Sequence, residues 1–139
     1  MPLSEEPAGS PQEWLRYARG DLALARTPVP PGGLRELLCF HAQQAAEKSI
    51  KAVLLLRGVE FPWTHVLERL VELLPADIPR TAELLECACL SVYATTARYP
   101  GRAEEVREEE HLEAVKLAER VLAWAGEEIQ RAHGKSETE

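Results

Sequence analysis

An all-α fold, a five-helix up-and-down antiparallel bundle, is the architecture that the sequence predicts. Three observations carry it. Apolar residues recur every three or four positions through long stretches of the 139-residue chain. Prolines and glycines gather between those stretches, at 28–33, 58–62, 75–79 and 100–101. Strand-like alternation of any useful length is missing from the sequence.

The first helix opens on Ser10-Pro11 with Glu13 behind it. Serine caps, proline fits the first turn, and the glutamate can complete a capping box. Trp14, Ala18, Leu22 and Ala25 share one face, and the helix ends near Arg26, because the Pro-rich link 27–33 cannot continue it. The second helix spans about Leu34 to Arg57 and stops at Gly58. Its stripe (Leu34, Leu37, Leu38, Ala42, Ala45, Ala46 and onward to Leu54) is the widest, so it is expected at the centre. A third helix follows Pro62, capped by Thr64 and closed by Pro75. A fourth runs from Pro79 to about Ala97, and a fifth from about Ala103 to Arg131. The fifth starts in a run of glutamates, which suits a helix amino terminus. Short links between long helices imply antiparallel neighbours. The expected organisation is a flexible segment 1–10, a helical domain 11–131 and a frayed tail 132–139, with no repeat and no second domain.

With 45% hydrophobic and 28% charged residues, the composition is that of a globular chain and excludes a disordered one. The formal net charge of −7 and a pI near 5.2 argue against a broad electrostatic grip on nucleic acid, which needs a basic face. No apolar run approaches the roughly 20 residues that cross a bilayer, and Met1–Pro11 has neither the basic nor the apolar region of a signal peptide. A cytoplasmic location is expected. Cys39, Cys87 and Cys89 are odd in number and lack metal-ligand spacing, so they are expected as small buried apolar residues in a reducing compartment. No metal and no cofactor are implied.

Two stretches could carry chemistry. In Phe40-His41-Ala42-Gln43-Gln44-Ala45-Ala46-Glu47-Lys48, the residues His41, Gln44 and Lys48 are three and four apart and share a helical face. They form a polar line beside the apolar stripe. Its functional reading is a groove for an anion or a base; its structural reading is a set of interhelical hydrogen bonds and a snorkelling lysine. In Arg98-Tyr99-Pro100, the proline ends the fourth helix and leaves Arg98 and Tyr99 at a rigid helix exit. A guanidinium there can hold phosphate or carboxylate, or cap its own helix while Tyr99 packs on the bundle. His65 follows the cap Thr64 and reads as a first-turn surface or packing residue.

Taken in order, these features resemble the HEPN domain, in the branch encoded beside minimal nucleotidyltransferases: Trp14 and Asp21-Leu22, the string from Phe40 to Lys48, Gly58, Pro62 and Thr64-His65 with Leu67, Tyr93 and Arg98-Tyr99-Pro100. The likeness covers about residues 11–130. It implies a five-helix bundle, a homodimer, and a site near the dimer cleft. It also implies either an RNA-cleaving toxin or defence component paired with a nucleotidyltransferase antitoxin, or a nucleotide-binding module. Ribonuclease members of the family carry an arginine, four to six further residues, then a histidine. After Arg98 no histidine falls in that window, and between Arg107 and His111 there are only three residues. Arg98 is therefore matched to half of the motif and no catalytic histidine is carried over.

Three functions compete. The first, which the motif failure favours, is a homodimeric partner of a minimal nucleotidyltransferase in a toxin–antitoxin or defence-type system, with a nucleotide held near His41, Gln44, Lys48, Arg98 and Tyr99. The second is a metal-independent ribonuclease toxin with a non-standard site, in which Arg98 holds phosphate and His41 is general base. The third is a purely structural bundle. Whether the chain is an enzyme stays open at this point.

Overall fold

The computed structural model describes residues 9–95, 100 and 105–138, the last four of these by their backbone. Its elements are α1 (Pro11–Ala25), α2 (Arg35–Leu56), α3 (Leu67–Glu72), α4 (Ala82–Glu86), a 3-10 turn η1 (Cys87–Ser91), α5 (Val92–Thr95) and α6 (Glu108–Thr138). Among the described residues there is no strand, so the fold is all-α, as the periodicity predicts.

Two of the predicted helix ends have their expected causes; Thr64 does not cap the third helix, because its Oγ1 accepts from the Val66 N–H and α3 starts only at Leu67. Ser10 Oγ accepts from the Glu13 N–H at 3.2 Å and opens α1. At the far end of α2, Gly58 adopts φ +71°. Its N–H donates to the Leu55 carbonyl and that of Val59 to the Leu54 carbonyl, the paired bonds of a Schellman cap. The turn at 75–79 is closed by Arg80, whose guanidinium donates to the carbonyls of Leu74, Pro75 and Ile78.

The core lies where α2 packs against both α1 and α6, which also meet each other. Ile50, Val53 and Leu54 of α2 are fully buried, and Leu22, Val121 and Trp124 come in from the flanking helices. Each such aliphatic or aromatic side chain contributes about 1.5–3 kcal/mol by leaving water. Helix directions follow from the polar ties. Asp21, late in α1, meets His41, early in α2, and Trp14, early in α1, meets Lys51, late in α2; the pair is antiparallel. His111 at the start of α6 bonds the Ala25 carbonyl, and His133 near its end bonds Gln12, so α1 and α6 are antiparallel too. Hence α6 runs in the direction of α2, and the short α3, α4, η1 and α5 return the chain between them.

Several details depart from the sequence reading. The fourth predicted helix is broken into α4, η1 and α5; in η1 the hydroxyl of Ser91 is brought to the start of α3, where it accepts from the Leu67 N–H at 3.0 Å. α6 begins at Glu108 and not near Ala103. Before it, Val106 is buried and held by its backbone, its N–H donating to Glu36 and its carbonyl accepting from Arg35. Leu34 and Leu37, expected in the core stripe, are 56% and 44% exposed, because they face outward at the amino end of α2. Cys39 and Cys87 are buried as expected, but Cys89 is exposed: two residues on from Cys87, it points the other way.

Candidate functional site

The polar line of α2 is built around two buried carboxylates, Asp21 and Glu47. On one side, Asp21 projects from α1 between two residues of α2. His41 Nδ1 is 2.9 Å from Asp21 Oδ1, and Lys48 Nζ donates to Asp21 Oδ2 at 2.5 Å. Their spacing of seven residues, two helical turns, places both over a single α1 carboxylate. Asp21 is nearly buried, whereas His41 keeps 32% and Lys48 22% of the side chain exposed.

On the other side, Glu47 is 3% exposed and collects three partners besides Gln44. Gln43 Nε2 donates to it at 3.0 Å, Lys51 Nζ at 2.9 Å, and His65 Nδ1 lies 2.9 Å from it. Burial pushes the Glu47 carboxyl up, but the hydrogen bonds from Gln43, Lys51 and His65 outweigh that and hold it below the usual carboxylate range. The Lys51 ammonium is itself buried, and three rings surround it: Trp14, Phe61 and Trp63, with centroids 5.5–5.6 Å away. Trp63 is otherwise 91% exposed.

Gln44 belongs to the Glu47 half by its hydrogen bonds. It lies between His41 and Lys48 on the helix face, and its amide nitrogen donates to Gln43 Oε1 at 2.7 Å. Exposed apolar residues lie at helical spacing from these groups, Tyr17 and Leu24 four before and three after Asp21 on α1, and Leu37 four before His41 on α2. A cleft of about 430 Å³ opens elsewhere, at the carboxyl end of α2, between the Arg57–Asp77 and Arg131–Glu128 ion pairs; none of the candidate site residues named from the sequence lines it.

Of the residues named from the sequence, His41, Gln44 and Lys48 thus come together on one partly exposed face of α2. Arg98 and Tyr99 lie outside the described residues. Sequence reasoning missed Asp21, Gln43, Glu47 and Lys51 as members of the cluster, and read His65 as a surface or packing residue, although it is a ligand of the buried Glu47. One signal was present: a glutamate and a lysine four apart, Glu47 and Lys51, inside the most apolar helix. His111 is 7% exposed, and its Nε2 donates to the Ala25 carbonyl at 2.6 Å, so it ties α6 to the end of α1. Among the described residues no three His, Cys, Asp or Glu side chains group as metal ligands, and no helix is long and apolar enough to cross a membrane.

Comparison with known proteins gives a family model, HEPN domain, that matches residues 11–129. Two solved structures are similar over most of the chain. TT1696 from Thermus thermophilus is 31% identical, with a TM-score of 0.75, and the match covers 85% of this chain and 97% of that one. ST0689, an archaeal HEPN homologue, is 33% identical with a TM-score of 0.66, over 86% of this chain and 98% of that one. No curated protein matches.

Proposed function

The chain belongs to the HEPN domain family, and on that footing we propose that it is a homodimeric partner of a minimal nucleotidyltransferase in a toxin–antitoxin or defence-type system, and that it binds a nucleotide in the groove of His41, Gln44 and Lys48. The observation that supports this reading is the double carboxylate cluster. Asp21 and Glu47 hold five polar side chains in fixed positions at a partly exposed surface. A helix that served only the core would gain more from apolar residues there, because burying paired charges is close to neutral for stability. Preorganised polar groups beside exposed aromatic and aliphatic residues are what a small-ligand groove requires. The test is co-purification with a small nucleotidyltransferase encoded beside the chain, together with calorimetric titration of AMP and ATP. Binding that is lost in Lys48→Ala and His41→Ala supports the reading. A protein that retains no such partner and takes up neither nucleotide does not fit it.

One observation favours a second reading, a metal-independent ribonuclease. An imidazole whose Nδ1–H is held by a carboxylate has its Nε2 free to act as a base, and His41 is so held by Asp21. Cleavage of a mixed RNA pool in EDTA, abolished by Arg98→Ala and by His41→Ala, would establish this reading in place of the first.

A further inference from the structure

The two buried carboxylates dictate which way every neighbouring polar group faces. An ionised carboxylate only accepts hydrogen bonds. His41, bonded through Nδ1 to Asp21, must therefore carry its neutral-form proton on Nδ1, which leaves Nε2 a bare acceptor. The same holds for His65 against Glu47.

The polarity then passes through the two glutamines. Gln43 spends its amide N–H groups on Glu47 and on the His65 carbonyl, neither of which can donate in return. Its Oε1 is thus left to accept, and it accepts from Gln44 Nε2. Gln44 consequently has its nitrogen turned toward the cluster and its oxygen left over. Donors point inward throughout, and the face shared with Lys48 is left with two acceptors, His41 Nε2 and Gln44 Oε1. Among the described residues the cationic donor beside them is Lys48, whose charge is already matched by Asp21.

From this arrangement we infer that the groove recognises the vicinal hydroxyls of a ribonucleoside and does not grip its phosphate. The inference rests on the nucleotide-binding reading above and specifies which part of the ligand the α2 groove holds. Two acceptor lone pairs repel phosphate oxygens, and a lysine already paired with a carboxylate offers them little in return. An amino group would satisfy the acceptors but would sit beside the Lys48 ammonium with nothing to give it. A hydroxyl does both, donating to an acceptor and accepting from Lys48 through the same oxygen. His41 and Gln44 are three residues apart, on adjacent turns of one helix face, so two neighbouring hydroxyls meet two neighbouring acceptors.

The experiment is calorimetric titration of the full chain with adenosine, AMP and 2′,3′-dideoxyadenosine, with inorganic phosphate as competitor. The expected result is similar affinity for adenosine and AMP, at least tenfold weaker binding of the dideoxynucleoside, and no competition by phosphate. Gln44→Met, which removes one acceptor at a part-exposed position and leaves both carboxylates paired, should narrow the difference between adenosine and its dideoxy form. Adenosine and dideoxyadenosine binding alike, or AMP binding far more tightly than adenosine, would overturn the inference and leave nucleotide binding intact. Binding of none of the three would overturn both.

Discussion

Glu47 and Lys51 lie one turn apart on α2 and form a 2.9 Å ion pair in which neither side chain is more than 5% exposed. A buried pair is close to neutral for stability while intact and strongly destabilising once one partner is removed. Glu47→Gln keeps the volume but strands the Lys51 ammonium among Trp14, Phe61 and Trp63, and should cost about 3–5 kcal/mol. Lys51→Met keeps packing against the same rings and leaves Glu47 with Gln43 and His65, so its loss should be clearly smaller. Urea unfolding of the two variants measures the difference. Equal losses would mean that Gln43 and His65 do not sustain the Glu47 charge once Lys51 is gone.

The same carboxylate sets an acid limit. Its pKa in the folded chain is held below the usual value, despite burial, by Gln43, Lys51 and His65. A group depressed in this way stabilises the fold fully above its unfolded pKa, about 4.3. That stabilisation is lost as pH falls through the lower folded value. The melting temperature should therefore decline below about pH 4.3, and the decline should be shallower in Glu47→Gln. A profile unchanged by the substitution would show that Glu47 carries none of the acid sensitivity.

Thiol labelling separates the three cysteines. Burial pushes the Cys87 thiol up to about 12, and burial with the nearby Glu113 and Glu86 charges also raises Cys89. Thiolate is the reactive form, so neither of these two should be fast. Cys89 alone is exposed, and Cys39 and Cys87 are buried. In the native protein an aromatic disulfide reagent should modify Cys89 slowly and spare the other two, which should react only after denaturation. Rapid reaction of Cys87 in the native state would contradict its burial.

These residues also show how far the sequence could be read. Helix positions were legible because caps and stops are local: Ser10 and Gly58 act within a few residues of themselves. The polar line of His41, Gln44 and Lys48 was legible for the same reason, as spacing on one helix. Its partners were not. Asp21 comes from α1 and His65 from the loop before α3, and nothing in their local sequence says that they meet α2. The direction of α6 was equally hidden, because it depends on contacts such as His111 to Ala25, 86 residues apart. The exposure of Cys89 was half legible: a spacing of two residues turns it away from Cys87, but local sequence does not say which of the two faces the core.

Gly58 offers a test of a local rule free of packing. A Cβ added there would meet nothing within 4 Å, so Gly58→Ala carries only the cost of holding an L-residue at φ +71°. That cost is about 1–2 kcal/mol. Thermal or urea unfolding should show this loss, with the nucleotide binding proposed for the α2 face unchanged. A neutral substitution would mean that the Schellman cap gives way without consequence.

His111 distinguishes structure from chemistry in the segment where a ribonuclease motif falls one residue short. It is buried, with Nε2 donating to the Ala25 carbonyl, the C-terminal residue of α1, at 2.6 Å. Removing it leaves that carbonyl without its donor and opens a small cavity between α1 and α6. The unsatisfied acceptor alone costs about 1–3 kcal/mol. His111→Ala should therefore lower the unfolding free energy by at least that much, while the proposed nucleotide binding, measured well below the melt, stays within twofold of the parent. His111→Gln, which can still offer an N–H to Ala25, should recover part of the stability. If His111→Ala instead left stability untouched and removed a ribonuclease activity, the histidine would be working on substrate and the tie to α1 would be incidental.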